Sequence, residues 1–144
     1  MQINFYPDNE DYLEASKEYQ LIWEQDGAKI VNVLQDISGM TFKKNTINAI
    51  VLEQKSHSHP LTLRASYSLD IKKGTLIHEL AHRLFVDNNH KTNDPLKAHE
   101  LINHTLYSAW VALYGKEFAD NMVLVESGRA PVYKEAWDLY FKNK

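Results

Sequence analysis

The 144-residue chain has no cysteine. That excludes disulfides and thiolate metal ligation, so any metal must be held by His, Asp or Glu, and it suits a reducing compartment. Positive charge is sparse and scattered. Sixteen Lys and Arg against 19 Asp and Glu give a formal charge of -3, and no basic run exceeds a pair such as Lys43-Lys44 or Lys72-Lys73. Binding to phosphate backbones needs clustered cations, so composition argues against a nucleic-acid partner. No apolar stretch approaches the length of a membrane span, and residues 1–11 lack the charged and apolar segments of a signal peptide. A cytoplasmic, soluble protein is the expectation, with no membrane partner. With five Gly, four Pro and no repeat or low-complexity tract, the chain offers no linker. One globular domain over residues 1–144 follows.

What the chain does have is the run Gly74-Thr-Leu-Ile-His78-Glu79-Leu-Ala-His82-Arg-Leu-Phe85. On a helix, His78 and His82 emerge from one face one turn apart, the spacing of two ligands on one metal. Glu79, about 100° further round, is too far to join them but close enough to reach a water on that metal. HExxH on a helix therefore reads as a zinc site with its own general base. Leu76, Ile77, Leu80, Ala81, Leu84 and Phe85 form an apolar stripe, so the helix is expected to be half buried. Imidazoles beside a core stripe need partners, and a metal supplies them. The competing use of the same letters is an ordinary Glu79–Arg83 surface pair with two His at the helix margin.

Residues 2–6 read as a short strand or anchoring arm, after which Pro7-Asp8-Asn9 opens a helix. Helical periodicity over residues 10–36 is interrupted at Gly27. It predicts one long helix with a weak point, or two helices meeting near Asp26-Gly27, stopped by Ser38-Gly39. Residues 47–53 and 61–67 have strand character. Residues 54–60 would join them as a hairpin, giving a small antiparallel sheet whose later strand offers its edge to an extended peptide. His57 and His59 in that connection read as solvated. Asp70 is the expected N-cap of the HExxH helix, which runs to about Val86. After a polar loop over residues 87–93, Asp94-Pro95 opens a helix that reaches Tyr114 and stops at Gly115. Residues 117–126 and 131–141 form two shorter helices.

A catalytic zinc commonly takes three protein ligands. After His82 the candidates are His90, His99, Glu100 and His104. Stepping about 100° per residue, His99 lies about 40° from the centre of the apolar sector of Ile102, Leu106, Ala109, Trp110 and Leu113, Glu100 about 140° away and His104 almost opposite. His99 is therefore the expected third ligand, with Glu100 as the alternative and His90 solvated.

HExxH followed, after a polar loop, by His99 on a second helix resembles the zincin metallopeptidases. The run from His78 to Asn89 is more similar to the SprT-like (Spartan) group, whose third ligand is a His, than to the gluzincins, whose Glu lies slightly further downstream than Glu100. The metzincin pattern fails, because Phe85 and Asn88 stand where its Gly and His would be. The likeness covers about residues 70–110. It implies an α+β, zincin-like fold and a Zn2+ ion on His78, His82 and His99, acting on a protein or peptide substrate. Three neutral imidazoles would lower the pKa of zinc-bound water to about 7. Glu79 would take the water's proton and return it to the leaving amine. Tyr107 or Tyr67 could serve as the second electrophile, although an aromatic beside an apolar stripe reads first as packing. Asp87 or Asp94 is the expected partner of a ligand's outer ring nitrogen, although Asp94 reads first as a cap. The residues after Gly115 are too few for a second lobe, so the cleft should be shallow or covered by the chain's own termini. The alternative is a zincin-fold binding module that keeps the metal and performs no chemistry.

Overall fold

The computed structural model describes residues 1–144. In chain order it contains β1 (Gln2–Pro7), a 3-10 turn (Glu10–Tyr12), α1 (Leu13–Ser38), β2 (Thr46–Leu52), β3 (Leu61–Arg64), α2 (Leu69–Asp87), α3 (Pro95–Tyr114), α4 (Lys116–Ser127) and α5 (Pro131–Lys142).

Helix α1 is the crossover that lets β1 and β2 run parallel, in register from Gln2 opposite Thr46 to Pro7 opposite Val51. The Asn9 side chain accepts from the Asp11 N–H where the chain turns, and Gly39, at φ 73°, closes the helix in the left-handed conformation. Between those ends α1 is one uninterrupted helix. Gly27 does not break it; a Cβ there would stand 2.8 Å from the Trp23 indole, so the residue makes room for that ring.

The sheet departs from expectation. It is three-stranded in the order β1-β2-β3, and all of it is parallel: β3 pairs with β2 from Ala49 opposite Leu61 to Leu52 opposite Arg64. Residues 53–60 do not form a hairpin with β2 but turn back along the far edge of β3. There His57 and Thr62 exchange both backbone hydrogen bonds, at 2.9 and 3.0 Å, and the Arg64 N–H donates to Ser56 Oγ. The short antiparallel pairing is thus between this return segment and β3, which lies between it and β2. Alternation of Ile47, Ala49 and Val51 fixes which face of β2 is buried but is blind to the direction of its neighbour. The edge of β3 expected to receive a peptide is covered by the chain itself.

Helix α2 is capped by Ser68, whose Oγ accepts from the Ile71 N–H, and not by Asp70. Asp70 sits in the first turn, where a negative charge suits the helix dipole. The middle of α2 is buried on all sides, Gly74 through Ala81 without exception, because α1, α3, α4 and β3 surround it. Leu76, Ile77, Leu80 and Leu84 are fully buried in the 25-residue core. Each contributes about 1.5–3 kcal/mol, enough together to outweigh the few kcal/mol that burial of the neighbouring polar groups costs. Helix α4 approaches α2 closely at Gly74, where a Cβ would fall 2.4 Å from the Met122 side chain. No helix is long and apolar enough to cross a membrane.

Candidate metal centre

Helix α2 carries His78 and His82, and α3 crosses it so that His99 comes up beside them. The Trp110 Nε1–H donates to the Gly74 carbonyl at 3.3 Å and ties the far end of α3 to α2. At the near end, Asn88 bonds back to the Leu84 and Thr41 carbonyls, and Asn89, at φ 70°, turns the chain. The Asp94 side chain then accepts from the Leu96 N–H, with Pro95 opening α3. His99 follows one turn later.

One ligand atom from each of His78, His82 and His99 lies within 4.8 Å of the other two. His78 Nε2 and His82 Nε2 stand 3.1 Å apart. A tetrahedral zinc with Zn–N bonds of about 2.0–2.1 Å would hold two ligand nitrogens about 3.3 Å apart, so the closest pair already has that spacing. The outer ring nitrogens of His78 and His99 are committed elsewhere. His78 Nδ1 donates to Glu126 Oε2 at 2.6 Å, and His99 Nδ1 donates to the Pro95 carbonyl at 2.6 Å. Those acceptors place the Nδ1–H on each ring and leave its Nε2 turned toward the common centre, the arrangement in which a ligating imidazole is oriented by its second nitrogen.

The electrostatics agree with a donor set. Burial, then His78 and His99, holds the His82 imidazole well below its ordinary pKa. Burial, then His78, takes His99 down to about 4. Both are neutral near pH 7, the form that binds metal. Burial would also lower His78, but Glu126 more than reverses it and the net shift is upward. The 3.1 Å contact between His78 and His82 is a hydrogen bond when a proton sits on it, so proton and metal compete for one place. Glu79 Oε1 lies 3.8 Å from His78 Nε2, and burial raises its carboxyl to about 7 against the opposing pull of His78.

The remaining expected residues sort clearly. Glu100 is exposed and lines a separate groove with His104 and Tyr140. His90 is exposed with its ring 5.8 Å from Phe85. His57 is exposed, and His59 faces Asp87 at 3.5 Å. Asp87 and Asp94 orient neither His78 nor His99. The Tyr107 hydroxyl donates to Asp120 at 2.7 Å, away from the centre, whereas Tyr67 lines the cavity that contains Glu79.

Three residues that sequence reasoning did not single out come from the last two helices and the turn between them. Glu126, 1% exposed, accepts from His78 on one oxygen and from the Trp137 Nε1–H, at 3.1 Å, on the other. It stands one turn after Met122 just as His78 stands one turn after Gly74, so the close helix approach at Gly74 brings the pair together. A carboxylate ending the apolar run Met122-Val-Leu-Val-Glu126 was the available signal. Arg129 and Tyr133 follow it. The Tyr133 ring centroid is 4.2 Å from that of His99 and 6.0 Å from that of His78.

Two cavities flank the triad. One of about 310 Å³ includes His78, Glu79, Tyr67, Arg129 and Tyr133; the other, of about 420 Å³, includes His82, Phe85, Val86, Leu101 and Ile102. The return segment borders both, with Lys55 and Ser56 on the first and Ser58 and His59 on the second. Comparison of the chain with family models, curated proteins and solved structures finds no match.

Proposed function

We propose that the chain is a zinc-dependent peptidase of zincin type, with His78, His82 and His99 as ligands and Glu79 as general base. The observation that carries this reading is the convergence of three imidazoles from two helices with a buried carboxyl beside them. A zinc ion held there would lower the pKa of water to about 7 and polarise the scissile carbonyl. Glu79 accepts the proton of the attacking water on its carboxylate and hands it to the departing amine. Burial raises this carboxyl to about 7 in the metal-free chain, and a bound dication would pull it back down toward the carboxylate form that takes the water's proton. Glu126 and the Pro95 carbonyl hold His78 and His99 in the tautomers that face the centre. Tyr133, whose phenol burial, then Glu79, raises to about 12, keeps its proton and can donate it as a hydrogen bond to the developing oxyanion.

The test is Glu79→Gln in zinc-loaded protein, assayed against a pool of proteome-derived peptides and folded proteins. Wild type cleaves and stops on chelation. The variant keeps its zinc and loses at least about 10²-fold in turnover. Wild-type protein with a full complement of zinc that cleaves nothing would instead favour a zincin-fold binding module. That second reading draws support from the return segment, which occupies the edge of β3 where a peptide would otherwise pair.

A further inference from the structure

His78 and Glu79 form one wall of the smaller cavity, and the rest of its lining carries three cations, Lys55, Arg64 and Arg129, among the neutral Ser56, Tyr67, Ala130 and Tyr133. Arg129 enters from the turn after α4. Its Nη2 donates to Thr75 Oγ1 at 2.9 Å, one helical turn before Glu79, and its guanidinium lies 4.8 Å from the centroid of the Tyr67 ring. Lys55 comes from the return segment, its Nζ 6.0 Å from the Tyr133 ring centroid. A third cation, Arg64, is matched by Glu53 at 2.5 Å. Neither Arg129 nor Lys55 has a carboxylate oxygen within 4.0 Å. Glu79 is the one carboxyl lining the cavity, and proton transfer already uses it.

Arg129 is not explained as an ion-pair partner of Glu126, because its hydrogen bond goes to Thr75 and no oxygen of Glu126 lies within 4.0 Å of it, the carboxylate facing His78 and Trp137 instead. One contact on a hydroxyl and one ring face leave most of a five-donor guanidinium free, fixed in direction and half-buried. A held, unmatched guanidinium beside a second cation is complementary to a planar anion. The cavity, about 310 Å³, admits a side chain or a chain terminus.

We propose that this cavity receives a carboxylate of the substrate, so that the preferred peptides carry an acidic side chain or a free C-terminus next to the bond attacked. The choice of a peptide as ligand rests on the peptidase reading. Arg129 grips the carboxylate with its fork, and Lys55 closes on it from the return segment.

The test is calorimetric binding to the full chain without metal, so that a carboxylate gains nothing by coordinating zinc. Three probes suffice: acetyl-Ala-Ala-Gln-Ala-amide, the same peptide with Glu for Gln, and the same Gln peptide with a free C-terminus. At least one carboxylate probe should bind about tenfold more tightly than the neutral amide, and which one does so identifies the source of the charge. Arg129→Gln should erase that preference, and Lys55→Gln should reduce it in part. Thermal melting checks that the variants are folded. If Arg129→Gln is not, Lys55→Gln on the exposed return segment carries the test. Equal binding of all three probes, or a preference untouched by either substitution, overturns the proposal. A charge preference in a zinc-loaded chain that cleaves nothing overturns the peptidase reading alone, whereas cleavage with no charge preference overturns this one alone.

Discussion

His78 and His99 face the same centre but are held by different means. His99 is oriented within its own helix, by the carbonyl of a residue one turn earlier, and depends on how α3 begins. His78 is oriented by Glu126, 48 residues later in the chain, and depends on α4 lying tight against α2 at Gly74 and on Trp137 of α5 holding the second carboxylate oxygen. One support is local and weakly coupled to the rest of the molecule. The other is tertiary and ties the candidate centre to the C-terminal helices.

The sharpest way to break this asymmetry is Glu126→Gln. Glu126 accepts two N–H donors, one on each oxygen. Glutamine accepts on one side only and would turn its NH₂ toward the other donor, leaving a buried group unsatisfied. Zinc affinity, measured by competition with a chromophoric chelator, should fall about 10- to 100-fold. A change under twofold would show that the tertiary support does not orient His78.

The pH dependence separates the two imidazoles next. Zinc needs neutral ligands. The raised pKa of His78 means that a proton competes there while the pH is still above the ordinary imidazole value of 6.5, whereas His99 resists protonation until about pH 4. As pH falls through the raised pKa of His78, zinc affinity should drop about tenfold per unit, one proton displacing one metal. His99 should add no second proton until near pH 4. In the metal-free chain the Glu79 carboxyl contributes to stability in the other sense. Glu79 has a folded pKa of about 7 against an ordinary 4.5, so the folded state binds more protons than the unfolded between those values. Its contribution is full below 4.5 and is lost as pH rises through 7, on the order of 3 kcal/mol. His82 and His99, whose folded pKa values are lowered, act in the opposite sense below 6.5, so the Glu79 part is read by difference. The excess melting temperature of metal-free wild type over Glu79→Ala should shift downward between pH 5 and pH 8.

The smallest effect should come from the local support. Asp94→Ala removes the cap of α3 and should cost about 1 kcal/mol of stability by denaturant titration. It should weaken zinc binding only a few-fold, because the first turn frays without displacing α3. A loss as large as that of Glu126→Gln would erase the distinction between the two ends.

Much of the centre was legible in the sequence because it depends on helical phase. The four-residue interval placed His78 and His82 on one face, and the apolar positions of α3 turned His99 inward and Glu100 outward. Asp94-Pro95 opened α3 and Gly39 closed α1 as local capping rules require. Of the two readings of residues 10–36 the single long helix holds and the break near Asp26-Gly27 does not, because a glycine that relieves crowding by Trp23 looks, in sequence, like one that breaks a helix.

The sequence by itself determined what repeats over one or two turns: the helices, their caps and the ring faces that could share a metal. Only the tertiary structure decided the parallel direction of β3, the covering of its edge by residues 53–60, and the arrival of Glu126, Arg129 and Tyr133 beside Glu79. The physical reason is the range of the interactions. Periodicity records which face of an element is buried, whereas pairing direction and the buried carboxylate of α4 depend on contacts between segments dozens of residues apart, which leave no periodic trace in either segment.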